Sequence, residues 1–210
     1  MKGDWKAAKS ILEKQPSLIR YAITENEETL LHVAASAERT KAVVEFVKNL
    51  VTLMGNADLE LQNKNWDTAL SLAAQVGNID TAMVLVKKNP TLTEIPNKSK
   101  VMPLYMAILF TQPAMARYLY GISKGISGDF WSHENRGWVL QKCVEADMFG
   151  VAINIINDHP ELTENKELLT NVLLYLAKKP NAFEERKPGV VFRIIKSCKF
   201  VHLILPLLKH

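Results

Sequence analysis

The feature that most constrains this chain is a short apolar phrase that returns at a nearly constant interval. Thr29-Leu30-Leu31-His32-Val33-Ala34 is the sharpest copy. Weaker copies follow at Thr68-Ala69-Leu70-Ser71-Leu72-Ala73, Met102-Pro103-Leu104-Tyr105-Met106-Ala107, Trp138-Val139-Leu140-Gln141-Lys142-Cys143 and Asn171-Val172-Leu173-Leu174-Tyr175-Leu176. Their last residues, Ala34, Ala73, Ala107, Cys143 and Leu176, are spaced by 39, 34, 36 and 33. After each of the first four come a tight turn and a longer amphipathic segment, at 41–50, 81–88, 113–120 and 149–157. A short helix, a turn and a longer helix at this period imply an all-α solenoid of stacked helix pairs. No pair could bury its apolar face alone, so neighbours complete each other's core.

Before the first copy, Trp5, Ala8, Ile11 and Leu12 recur at helical spacing, with Asp4 placed to cap the helix and Pro16 placed to end it. This reads as the second half of a helix pair, so the natural array is expected to begin before Met1. The composition suits a folded domain: 210 residues, 48% hydrophobic and 23% charged. A net charge of +4 is too mild to imply nucleic acid. Two distant cysteines, Cys143 and Cys198, form neither a disulfide framework nor a metal-ligand spacing, and they fit a reducing compartment. The N-terminus has no signal-peptide pattern. The longest apolar stretch, 190–208, is interrupted by Arg193, Lys196, Lys199, His202 and Pro206, which argues against a membrane span.

The hexad Thr29 to Ala34 resembles the ankyrin-repeat signature Thr-Pro-Leu-His-x-Ala, with Leu30 in place of proline; Pro103 and Leu104 keep the Pro-Leu pair in the third copy. The resemblance implies about five ankyrin repeats with degenerate ends, each a β-turn followed by two helices. In such a motif threonine caps the first helix and proline is tolerated in its first turn. Histidine would bond backbone across the turn, and alanine lets the helices approach. Only His32 keeps the histidine; Ser71, Tyr105, Gln141 and Leu174 replace it. The glycine usual two residues before the threonine is replaced by Glu27, Trp66, Lys100 and Arg136, which predicts turns of altered shape, since glycine accepts positive φ readily. Trp138 stands at the capping position of the fourth copy and is expected to be packed. Phrases such as Gly3-Asp4-Trp5, Leu162-Thr163 and Leu176-Ala177-Lys178-Lys179-Pro180-Asn181-Ala182-Phe183 resemble plant ankyrin proteins that carry a C-terminal transmembrane proline-glycine-glycine domain. That narrower resemblance implies a cytoplasmic array, on the cytosolic side of a membrane within a longer protein, acting in defence or stress signalling.

No constellation in the chain carries chemistry. His32 has no second histidine or carboxylate at ligand spacing, and His133, His159, His202 and His210 are scattered. The loop 121–135 holds Gly121, Gly125 and Gly128 without a phosphate-cradling pattern and reads as a spacer. No catalytic, cofactor or metal-binding residues are therefore assigned, and the chain is not read as an enzyme. From Lys178 onward eight lysines or arginines face two glutamates, a net of +6. We divide the chain into an array over 1–183 and a basic, apolar helical extension over 184–210 that caps it. The extension could alternatively dock on anionic lipid. Nucleic acid is not an expected partner, because the basic residues are not interleaved with a stacking surface.

A solenoid of this kind binds proteins or peptides at its turn tips and concave face. The residues that register places at the tips are Glu25, Asn26, Glu27, Asn63, Lys64, Asn65, Trp66, Lys98, Lys100, Glu134 and Arg136, with Trp66 as the aromatic anchor. The expected function is protein–protein interaction. The alternative is the regulatory cytosolic domain of a membrane-tethered channel or receptor-like protein.

Overall fold

The computed structural model describes residues 4–178, apart from Lys124 and Asp129. The basic extension 184–210, its proposed capping role, the boundary at 183 and Cys198 all lie outside the described residues. The chain is all-α, and its elements run α1 (Trp5–Lys14), α2 (Leu30–Ala35), α3 (Lys41–Thr52), α4 (Asn56–Leu59), α5 (Ala69–Val76), α6 (Ile79–Lys88), α7 (Pro103–Leu109), α8 (Pro113–Ile122), α9 (His133–Glu145), α10 (Phe149–Asp158) and α11 (Lys166–Ala177). Helix pairs α2/α3, α5/α6, α7/α8 and α9/α10 follow one another, flanked by the single helices α1 and α11. Two compact units divide the chain, one through Leu119 and one from Tyr120 onward.

The helix starts follow from their caps. Asp4 accepts from the Ala7 amide at 3.1 Å, Thr40 from Val43 at 3.2 Å and Thr68 from Ser71 at 3.3 Å, each satisfying an amide that the helix leaves unpaired. The helix ends confirm the register. The carbonyls of Ala73, Ala107 and Cys143 each accept from the amide five residues on, Asn78 at 2.9 Å, Gln112 at 2.8 Å and Met148 at 2.7 Å. Just before that donor the backbone turns left-handed, at Gly77 (φ 73), Thr111 (φ 54) and Asp147 (φ 58), a Schellman-type ending. The first copy lacks it: Ala34 accepts from Ala37 instead, and a longer turn delays α3 to Lys41. That delay supplies one residue of the difference between the first spacing of 39 and the second of 34; a longer α3 and the longer connection through α4 supply the rest.

A second, subtler repeat marks the exits of α1, α6 and α10. Each is followed by a five-residue 3-10 turn opening on proline, Pro16–Arg20, Pro90–Glu94 and Pro160–Glu164. The amides of Gln15, Asn89 and His159 close the helix, and their carbonyls then receive Leu18, Leu92 and Leu162. Sharing this exit, α1 is built like a second helix of a pair. Proline suits the turn because its missing amide would have had no helical partner there.

In the first unit the core is the inward face of the stacked pairs. Leu31, Ala34, Phe46, Val47, Leu50, Leu70, Ala73, Leu85, Ala107 and Ile108 are each 2% exposed or less. Trp5 meets the Phe46 ring edge-on, with centroids 5.6 Å apart. In the second unit Leu140, Cys143, Ala152, Ile155 and Leu162 are fully buried. The loop expected to be a spacer packs into this unit: Ile126 is buried at 0% exposure and Trp131 at 6%. Tyr120 donates its hydroxyl to Asp158, and His159 bonds the Gly125 carbonyl through Nε2.

Candidate functional site

Three hairpins, at 23–28, 62–67 and 96–101, project from the first unit ahead of α2, α5 and α7. Their skeletons are alike. The amides of Glu27, Trp66 and Lys100 donate to the carbonyls of Thr24, Asn63 and Asn97 at 3.0, 2.8 and 2.8 Å. Side chains then lock the loops. Asn63 Oδ1 accepts from Asn65 and Asp67 at 2.9 and 3.0 Å, Asn97 Oδ1 from Ser99 and Val101 at 3.0 Å each, and Thr24 Oγ1 from Glu28 at 3.1 Å.

The expectation of altered turns is corrected here. Glu27, Trp66 and Lys100 keep the left-handed backbone that glycine would favour, at φ 59, 61 and 60. The second and third are three-residue hairpin loops, closed by the Asn63 and Asn97 amides on the Asp67 and Val101 carbonyls, the first closes from Ile23 to Glu28, and all three carry a costly residue at the left-handed position. Hydrogen bonds on either side of each residue over-determine the loop and hold it there.

The hairpins are also joined to one another. The Lys64 amide donates to the Asn26 carbonyl at 3.0 Å, and the Lys98 amide to the Asn65 carbonyl at 2.9 Å. Lys64 Nζ adds a bond to the Glu25 carbonyl at 3.0 Å, and Gln62 spans from the Trp66 carbonyl (2.7 Å) to that of Pro96 (3.2 Å). Asn97 Nδ2 donates to Asp67 Oδ1 at 3.1 Å. Burial pushes the Asp67 carboxyl up, and that hydrogen bond opposes the rise.

His32 ties the ladder to the helices. The Thr29 amide donates to His32 Nδ1 at 3.2 Å, which makes Nδ1 an acceptor and puts the proton on Nε2. Nε2 then donates to the Asp67 carbonyl in the next hairpin at 3.1 Å. Burial holds the imidazole below its ordinary value, against the smaller opposing pull of the backbone carbonyls of Asp67 and Leu61 and the charges of Glu28 and Asp67. His32 is a neutral structural link that closes a capping box across a repeat boundary.

The tip residues separate by exposure. Glu25, Glu27, Lys64, Asn65, Trp66, Lys98 and Lys100 are exposed, and Asn26 is half-buried. Asn63 is buried at 3% exposure, and its side chain locks the loop from within. Glu134 and Arg136 are corrected as well. They lie inside α9, whose cap is Ser132, and Arg136 donates Nε to the Ile126 carbonyl at 2.9 Å. Trp138, expected at the start of its helix and packed, sits within α9 and is 55% exposed.

The cause is a lengthened first helix. From cap to ruler residue the distance is five residues in α2, α5 and α7, but eleven from Ser132 to Cys143 in α9 and again from Asn165 to Leu176 in α11. The added turns take the place of hairpins in the second unit.

A family model of ankyrin repeats, in three copies, matches residues 31–129. Over those residues the chain is similar to ankyrin repeats. The match begins within α2, after the first hairpin, takes in the second and third hairpins and stops four residues before α9, where hairpins give way to long helices. Ankyrin repeats generally serve as protein–protein interaction modules and are typically non-enzymatic scaffolds. The match is to ankyrin repeats in general and lends no support to the plant-type resemblance. No curated protein matches the chain. Among the described residues, no three His, Cys, Asp or Glu side chains could together hold a metal ion, and no helix is long and apolar enough to cross a membrane.

Proposed function

We propose that the chain binds a protein or peptide across the three hairpin tips of its first unit. The observation that carries this reading is Trp66. A bulky aromatic residue is held at positive φ, where it costs roughly 1–2 kcal/mol, and is still 54% exposed. Strain kept at a surface position is an argument for use rather than for packing. Glu25 and Glu27 make the first tip acidic, while Lys64, Lys98 and Lys100 make the second and third basic. A complementary ligand presents an apolar group to Trp66, acidic residues toward the lysines and a basic residue toward the first tip. Charge of this kind sets encounter rate and selectivity more than affinity. The finer reading, a cytosolic partner in plant defence or stress signalling with the basic tail at a membrane, rests on the sequence phrases and the charge of that tail.

The test is a displayed random-peptide library selected against the full chain, followed by titration of the selected peptide against Trp66→Ala. Alanine keeps a side chain at the same strained φ, so the loop itself is little changed. Affinity is expected to fall at least about tenfold, as for an interface anchor. Unchanged affinity would remove the tips as the site.

A further inference from the structure

The second unit holds a cleft between α9 and α11 that the hairpin surface does not use. The two helices come close at Gly137, where a Cβ would stand 3.3 Å from Leu168 Cδ2. The cleft beside this approach has a volume of about 240 Å³ and is lined from α9 by Glu134, Trp138 and Gln141 and from α11 by Glu167 and Asn171. It falls short of the roughly 300–1,000 Å³ typical of small-molecule sites, which suits it to a single side chain. Glu134 and Trp138 are four residues apart on α9, as are Glu167 and Asn171 on α11, so each pair shares a helix face.

Among the described residues, the lining offers two carboxylates, the imidazole of His133 and no lysine or arginine. Trp138 leaves 55% of its surface in water, in a unit that buries Trp131 to 6%. Gln141 donates one amide N–H to Glu145 Oε1 at 3.0 Å, and its carbonyl oxygen is an acceptor. Carboxylates, an acceptor amide and a half-exposed indole together match a planar cation. Such a cation stacks on the ring while its N–H groups reach the flanking oxygens.

We propose that the α9–α11 cleft receives an arginine side chain from a partner protein. Arginine fits better than lysine because its guanidinium can stack on Trp138 and donate to both sides at once. This site shares no residue with the hairpin tips, so either proposal can fail without the other.

The test follows the Trp138 indole N–H by NMR in the full-length chain, with the signal assigned by its loss in Trp138→Phe. The probes are a blocked Gly-Arg-Gly peptide and the same peptide with neutral citrulline. The arginine peptide should shift the Trp138 signal saturably and leave those of Trp66 and Trp131 in place. Binding should weaken at least tenfold with citrulline and at least fivefold in Glu134→Gln/Glu167→Gln. These conservative, exposed substitutions should not disturb the fold. No saturable shift, equal shifts from both peptides, or full binding by the double variant would overturn the proposal. A Trp138 signal that ignores peptide but moves on Glu134→Gln/Glu167→Gln alone would assign the cleft to the chain's own cations, and would also overturn it.

Discussion

His32 is 1% exposed and bonded at both ring nitrogens, so its charge state is coupled to folding. Its folded pKa lies below the ordinary value of 6.5. As pH falls through about 6.5, the unfolded chain takes up a proton that the folded chain refuses, and stability is lost. The contribution is complete above that range and declines below it, by at most about 1.4 kcal/mol per pH unit for one group. Asp67 has the opposite sign, since its raised folded pKa adds stability as pH falls, in a lower window. His32→Gln, with an amide that can accept from Thr29 and donate to Asp67, isolates the effect. Denaturant unfolding at several values between pH 7.5 and 5 should show wild-type stability falling relative to the variant. Parallel curves would refute the neutral assignment.

At the scale of elements, the hairpins show what the sequence leaves hidden. The period, the helix pairing and the ruler residues Ala73, Ala107 and Cys143 were legible because apolar spacing and small residues report packing directly. The left-handed backbone at Glu27, Trp66 and Lys100 was not, because the cost of a non-glycine residue is met by bonds from residues elsewhere in the loop and in neighbouring hairpins. The burial of Asn63 was hidden for a related reason: an asparagine that locks a turn looks, in sequence, like one offered to a partner. The length of α9 and α11 is hidden because the register of the earlier copies places their starts at Trp138 and Asn171, although Ser132 and Asn165 stand upstream as caps and Trp138 cannot cap. The strain itself is testable at Lys100, which is exposed and has little packing to lose. Lys100→Gly should raise stability by roughly 0.5–1 kcal/mol, the relief of left-handed strain less the extra chain entropy of glycine. Chemical denaturation would measure it, and a destabilised variant would show that the loop is not strained there.

At the scale of the whole chain, the two compact units differ in how their repeats begin, with hairpins in the first and long capped helices in the second. Cys143 gives the second unit its own reporter. It is fully buried, and burial raises its thiol pKa strongly, so modification requires local opening. In a Cys198→Ser background, alkylation of the folded chain should be at least about a thousandfold slower than of the unfolded chain, because only the rare open state reacts. His32→Gln and Lys100→Gly, which act in the first unit, should leave that rate within about twofold; a change that follows each variant's effect on stability would mean that the units open together. The hairpin ladder carries a different consequence. Its main-chain rungs, Lys64 to Asn26 and Lys98 to Asn65, do not need the side chains of Asn26, Asn65 and Lys98, whereas Lys64 adds a side-chain bond to the Glu25 carbonyl. Those three side chains can be exchanged wholesale while Asn63, Lys64 and Asn97 are kept. The first unit is in effect a writable surface, whose binding preference can be redrafted residue by residue on a frame that does not read the text.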